Sequence, residues 1–215
     1  MELYIVRHGQ SKAQTGEDSG PDPHLSELGL TQAEKLGKRL SEIKFDKIYA
    51  SHLSRAVQTA AGVAKQRADS PAIEIIPELA ECGFDPCYEQ SLELLESYYP
   101  KIIMPRSSIG QGYKNDGERA EFVLNNYIYP LAYESGFTSK KDSNEGPVCS
   151  NDCNILIAAH GMFNAYLLGL LVNFPFDKNM VVVQQNTCIN HFSLYTVDGV
   201  RRVKFNSFND YGHLK

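Results

Sequence analysis

Two apolar patterns alternate along the chain. Short runs at Leu3–Val6 (LYIV), Phe45–Ala50 (FDKIYA), Ile73–Ile76 and Asn154–Ala159 (NILIAA) read as strands. The last is almost wholly apolar, the pattern of a strand buried on both faces. Elsewhere apolar residues recur at helical spacing. Leu30, Ala33, Leu36, Leu40 and Ile43 form one stripe, and Thr31 with Glu34 reads as a capping box. Ser54 is placed to cap a helix from about Arg55 to Arg67. Ser91–Tyr99 predicts a short helix and Glu118–Tyr133 a long one, with Ala120, Val123, Leu124, Tyr127 and Leu131 on one face. A further helix runs through Ala165, Leu168 and Leu171. The segments Ile189–Val197 and Val200–Phe205 flank Asp198-Gly199, which predicts a two-residue hairpin.

Strands alternating with helices predict an α/β fold: a three-layer sandwich, its central sheet mostly parallel, helices on both faces and an antiparallel edge. No repeat or long linker divides the chain. Residues 1–215 therefore read as one domain, with an irregular insertion around 82–117 expected to cap one side of a site. The polar loop Gln10–Pro23 is long for a plain connection, and such loops are often functional. Thr138–Asp152, rich in Ser, Asn, Lys and Gly, reads as a mobile surface loop.

Three strand ends carry basic side chains. Arg7 and His8 close the first strand, Arg55 opens the helix after the second, and His160 closes NILIAA. In a parallel sheet these ends face one crevice. Arg55 sits against the helix dipole, and locally broken rules tend to mark functional sites. Two imidazoles and two forked guanidinium donors suit a tetrahedral anion, and phosphoryl transfer needs that positioning and charge stabilisation. One histidine, neutral, would act as nucleophile; the other, protonated, would donate to oxygen. A proton donor for the leaving alcohol is also needed, and Glu78 and Glu81 are equally good candidates on spacing.

Composition narrows the class. The chain has 215 residues, 42% hydrophobic, and a net charge of −5, with no basic tract. Nucleic acid is thus not an expected partner, and no apolar run is long enough for a membrane span. The cysteine count of 5 is odd, and the first strand begins too near Met1 for a signal peptide. Free thiols in a reducing, cytoplasmic setting are expected. The spacings Cys82/Cys87 and Cys149/Cys153 are not those of a zinc site.

LYIVRHGQS resembles the RHG signature of the histidine phosphatase superfamily, phosphoglycerate-mutase-like branch. Leu25-Ser26-Glu27-Leu28-Gly29 with Gln32-Ala33 resembles the L-[TS]-x-x-G-x-x-Q-A segment. Ser51–Ala56 with Gln58-Thr59-Ala60 resembles S-x-L-x-R-A-x-Q-T-A, and Ala159-His160-Gly161 the late [SA]-H-G; Asn186 precedes the closing hairpin. The resemblance implies that His8 is the phosphorylated nucleophile, that Arg7, Arg55 and His160 bind phosphoryl oxygens, and that Glu81 rather than Glu78 is the acid/base. It implies a small phosphorylated substrate and no metal, because four basic groups already neutralise the phosphate. Two positions depart from the pattern. Gln14 stands where many relatives have Asn and can still donate to phosphate with a different reach, and Met162 follows His160-Gly161, where its backbone N–H could bind phosphate. The run after Glu81, CGFDPCYE, lacks the Y-G-x-L-Q-G type of the cofactor-dependent mutases. The expected activity is therefore a metal-independent phosphatase for a small phosphomonoester. The alternatives are a phosphoglycerate-mutase-type phosphotransferase and a non-catalytic phosphate- or protein-binding module. Arg106, Lys114 and Arg119 are candidates for a second anionic group, and Tyr98, Tyr99 and Tyr113 for the cap lining.

Overall fold

A computed structural model describes residues 1–84, 90–104, 112–134, 153–174 and 182–215. Thr138–Asp152, Arg106, Cys87 and Cys149 lie outside these residues. The strands are β1 (Glu2–Arg7), β2 (Lys47–Ala50), β3 (Ile73–Ile75), β4 (Ile102–Ile103), β5 (Asn154–Ala159), β6 (Ile189–Val197) and β7 (Val200–Asp210). The helices are α1 (Lys12–Thr15), α2 (Glu27–Arg39), α3 (Ser54–Ala64), α4 (Leu92–Tyr98), α5 (Asp116–Val123) and α6 (Gly161–Leu171).

One sheet joins all seven strands in the order β4-β3-β2-β5-β1-β6-β7. The pairs from β4 through β1 are parallel; β6 pairs antiparallel with β1, and β7 with β6. The hairpin at Asp198-Gly199 thus forms the antiparallel edge that the sequence predicts, with Asp198 and Gly199 both in the left-handed region that such a turn requires (φ 50° and 76°).

Side-chain alternation divides the core in two. Leu3, Ile5, Ile155, Ile157 and Ala159 pack against Ala120, Val123, Phe163 and Leu167 on one face. Val6, Ile48, Ala50, Leu156 and Ala158 pack against Leu36, Val57, Ala60 and Ala64 on the other. The all-apolar β5 is buried on both faces because it lies inside the sheet with helices above and below.

Several local expectations shift. The cap of α2 is Ser26, whose hydroxyl accepts from the Gly29 N–H at 3.1 Å; Thr31 lies inside the helix and donates back to the Glu27 carbonyl. Leu30 is 49% exposed, so the inward stripe begins at Ala33. The long helix after Asn115 starts at Asp116 and widens into π-type segments at Leu124–Ile128 and Pro130–Glu134. Pro130, with no N–H to donate, explains an interrupted ladder there. Part of the expected insertion extends the sheet: α4 leads into β4, which pairs with β3.

Candidate active site

The carboxyl ends of β1, β5 and β2 stand side by side because β5 fills the slot between the other two. Arg7 is level with Ala159, and Ala50 with Ala158. The chain beyond each end stays tied to β5: the His8 N–H donates to the Ala159 carbonyl at 3.0 Å, and the Ser51 N–H to Ala158 at 3.1 Å. Position in the sheet therefore brings Arg7, His8, Arg55 and His160 toward one crevice.

The His8 and His160 ring centroids are 5.1 Å apart, with planes tilted by 57°. Both residues are buried. Nδ1 of His8 lies 2.6 Å from the Gly9 carbonyl. A carbonyl can only accept, so Nδ1 carries the hydrogen and Nε2 keeps its lone pair. Burial, then the charges of Arg55 and Arg7, push the His8 pKa down to about 3, against the opposing Gly9 hydrogen bond. Burial, then His8 and Arg55, hold His160 well below the usual histidine range. Where the sequence suggests one charged imidazole, the protein's own groups make both neutral. A phosphoryl dianion beside His160 would reverse that balance, since opposite charge favours the protonated ring.

Arg7 donates through Nη1 to the Gln184 carbonyl. Among the described residues, its Nε and both ring nitrogens of His160 are buried without a hydrogen-bond partner. Each such group costs about 1–3 kcal/mol, and their clustering marks a place for a polar ligand. Gly161 permits this closeness; a Cβ there would stand 3.3 Å from Arg7 Nε. Gln184 also donates to the Gly161 carbonyl at 2.9 Å and accepts from Asn190 at 3.0 Å, linking the loop before β6 to the start of α6.

Arg55 is 6% exposed. Its Nη1 lies 3.8 Å from Asp22, whose carboxylate accepts the Ser54 N–H at 2.9 and 3.0 Å. Asp22 thus supplies the cap that the sequence assigns to Ser54, which instead is the first residue of α3 and meets Tyr98 OH at 3.2 Å. Asp22 was not legible as a site residue; its signal is a carboxylate in the turn PDP of the long polar loop. The Arg55 guanidinium also lies 5.1 Å from the centroid of the Phe84 ring.

Glu81 reaches the start of α6. Its Oε1 accepts from Phe163 N–H at 3.0 Å and Cys82 N–H at 2.9 Å, and its Oε2 from Met162 N–H at 3.4 Å. Glu78 is buried elsewhere, with Tyr113 OH at 3.4 Å. Of the two carboxylates, Glu81 is the one beside the His160 segment. The Met162 N–H is therefore directed at Glu81. Gln14 accepts from the Ser11 N–H at 3.0 Å and exchanges amide hydrogen bonds with Asn186, which in turn donates to the His8 carbonyl at 3.0 Å. Gln14, expected as a phosphate contact, thus has its amide engaged with Ser11 and Asn186 and braces the loop after β1.

Arg119 is corrected as a candidate for a second anion. It is buried, donates to the carbonyls of Glu78 at 2.9 Å and Ala80 at 2.7 Å, pairs with Asp116 at 2.5 Å, and stacks over Phe163. Its work is to hold the turn that carries Glu81. Lys114 is exposed. Tyr99 is a core residue, with its OH toward the Pro71 carbonyl. The motif residues Gln32, Gln58 and Thr59 are ties for the loop after β1, accepting from Gln10, Leu25 and Gly9 N–H groups at 2.8, 2.8 and 3.0 Å.

Residues 3–130 match the family model described as histidine phosphatase superfamily (branch 1). The chain is 24% identical to fructose-2,6-bisphosphatase TIGAR of Xenopus laevis, covering 99% of this chain and 94% of that protein. A local match to adenosylcobalamin/alpha-ribazole phosphatase of Salmonella typhi is 42% identical over 86 residues, 39% of this chain and 42% of that protein. The solved structure of a mycobacterial glucosyl-3-phosphoglycerate phosphatase superimposes with a TM-score of 0.66 at 20% identity, covering 97% of this chain and 98% of that one. A phosphoglycerate mutase from Bacillus anthracis gives a TM-score of 0.65 at 19% identity, covering 100% and 95%. These two structural likenesses bear on the fold.

Proposed function

The chain belongs to the histidine phosphatase superfamily, branch 1, and from that premise we propose that it is a metal-independent phosphatase that hydrolyses a small phosphomonoester through a phosphohistidine on His8. The observation that carries this reading is the pair of buried imidazoles, 5.1 Å apart, with the charges of Arg55 and Arg7 both acting on His8 and that of Arg55 on His160. Phosphatase activity in the relatives supports it.

In this reading Nε2 of His8 attacks phosphorus as the bond from phosphorus to the alcohol oxygen breaks. Glu81 gives its proton to the departing oxygen. Arg7, Arg55 and His160, protonated once the dianion is beside it, bind the three equatorial oxygens. Water then attacks the phosphohistidine, Glu81 takes the proton, and inorganic phosphate leaves with His8 restored. The cationic groups meet the phosphoryl charge without a metal ion. Gln14 acts through Asn186, and Met162 through the N–H that fixes Glu81.

A phosphoglycerate-mutase-type reaction would need a second anion subsite, and Arg119, one of the cations available for it, is engaged with Glu78, Ala80 and Asp116. A binding-only module has no need of a histidine that keeps an available lone pair. The stretch 82–117 is read as the cap of the site. A cytoplasmic setting is supported by the free thiols Cys82, Cys153 and Cys188, and the absence of a nucleic-acid partner by the net charge of −5.

The test is phosphate release from a panel of phosphomonoesters in the presence of a chelator. The wild-type chain is expected to keep its rate, and His8→Ala to lose about 10³-fold or more. No release from any ester, or release by His8→Ala at the wild-type rate, overturns the reading.

A further inference from the structure

Resting on the phosphatase reading above, we propose that Thr187 and His213 are a positioning pair: together they hold the backbone of Arg7 and His8 so that Nε2 of His8 is presented for attack. The backbone of Thr187 is the first observation. The residue is fully buried and has a φ of 56°. Among the described residues the other non-glycine positions in this left-handed region are Asn173, Asp198 and Asn209, whose short polar side chains tolerate it. A β-branched residue is strained there, and such strain persists where the surrounding contacts over-determine it.

Those contacts run to the site. The Thr187 N–H lies 3.1 Å from the Arg7 carbonyl and 3.4 Å from the His8 carbonyl. The Asn186 amide also donates to the His8 carbonyl, at 3.0 Å. The His8 carbonyl and the Gly9 N–H belong to one peptide, and that N–H donates to Thr59 Oγ1 at 3.0 Å. The chain passes from that peptide directly to the Gly9 carbonyl, which fixes the hydrogen of His8 on Nδ1. Whatever seats Thr187 therefore bears on which ring nitrogen of His8 keeps its lone pair.

His213 seats it. It comes from the turn Gly212–Leu214, which packs on α2, and its Nε2 lies 3.0 Å from Thr187 Oγ1. Asn209, near the end of β7, accepts from the Gln185 N–H at 2.8 Å, so the same stretch of chain meets the loop before β6 twice. A hydroxyl donates or accepts, so the contact with His213 forms in either tautomer of its ring. Nδ1 of His213 is buried with no hydrogen-bond partner among the described residues. An apolar side chain would fill that space without leaving a buried nitrogen unsatisfied. The contact with Thr187 is what the imidazole adds.

The test uses the purified full chain with 4-nitrophenyl phosphate, and ¹⁵N-histidine NMR without substrate. Thr187→Val keeps the shape and loses the hydroxyl; His213→Leu removes the ring nitrogens. Each is expected to lower kcat about tenfold or more with KM within about threefold, because the nucleophile and not the phosphate contacts is displaced. Thr187→Ser and His213→Gln, which keep a polar atom at the contact, are expected to stay within about threefold of the wild-type kcat. The wild-type His8 ring is expected to show hydrogen on Nδ1 alone, and the two disruptive variants a mixture of tautomers. Thr187→Val and His213→Leu break the same contact, so either one that folds decides. Wild-type kcat, or an unshifted His8 tautomer, in that variant overturns this inference and leaves the phosphatase reading standing. No phosphate release by the wild type, with no phosphoryl label on His8, overturns both.

Discussion

His8 carries its proton on Nδ1 because the Gly9 carbonyl beside it can only accept. That single contact turns Nε2 into the reactive atom, and burial together with Arg55 and Arg7 keeps the ring neutral down to about pH 3. The consequence is visible without substrate. In a ¹⁵N-histidine NMR titration from pH 8 to pH 5, the His8 and His160 rings are expected to keep neutral shifts; a midpoint near 6.5 at His8 would contradict the assigned environment. Asp22 works at the same scale. Its carboxylate caps α3 and faces Arg55, so Asp22→Ala removes both the cap and the partner of a buried cation. Loss of the cap alone is worth about 0.5–2 kcal/mol in urea unfolding, and KM for phosphomonoesters should shift with it because Arg55 is no longer held. Unfolding and KM equal to wild type would remove Asp22 from the account. The sequence shows Arg55 and His8 plainly, because an Arg in a first helical turn and a His at a strand end stand out. Asp22 is hidden because its partners lie 32 and 33 positions away, across a loop whose path no local pattern encodes.

Helix starts illustrate the limit of local signals. Ser26 and Thr31 are both good caps by composition, and the choice falls to Ser26 because its N–H and hydroxyl also bind Gln10 in the loop after β1. Ser54 loses its capping role to a carboxylate from another loop. The contact that locks α2 to the active-site loop rests on Gly29, where a Cβ would stand 2.0 Å from the Gln10 carbonyl oxygen. Backbone cannot yield as a flexible side chain can. Gly29→Ala is therefore expected to destabilise the fold by about 1–3 kcal/mol and to lower kcat/KM, because Gln10 follows directly on the Arg7-His8-Gly9 segment. Unchanged denaturation and kinetics would show that the loop can move away freely. The strands are more legible, since a run buried on both faces such as β5 leaves no other reading, but β4, only Ile102–Ile103, gives no pattern to read, and β7 runs on past Phe205 to Asp210.

Across the whole molecule the strand order makes the site, for β5 lies between β1 and β2 and sets three basic strand ends beside one another. That convergence follows from the parallel α/β class and was legible from sequence; the closeness of Phe84 to Arg55 and the burial of Arg119 were not, because both depend on how the turn after β3 folds back. Histidine burial also sets the pH response of stability. His8 and His52 have folded pKa values pushed down to about 3 and about 4, mainly by burial, from the ordinary histidine value of 6.5. Above about pH 6.5 neither the folded nor the unfolded chain binds these protons; below it the unfolded chain binds them first, so their stabilising contribution is lost as pH falls toward 4 and 3. Tm is expected to decline as pH falls from about 6.5 to 5, and a Tm that rises over that range would contradict this balance. The central claim is that phosphorus bonds to His8, and it is tested by adding a ³²P-labelled phosphomonoester, quenching at alkaline pH where phosphohistidine survives, and mapping the label. A label on His8, absent in His8→Ala, is the predicted result; a label on another residue, or none while His8→Ala still turns over substrate, would contradict it.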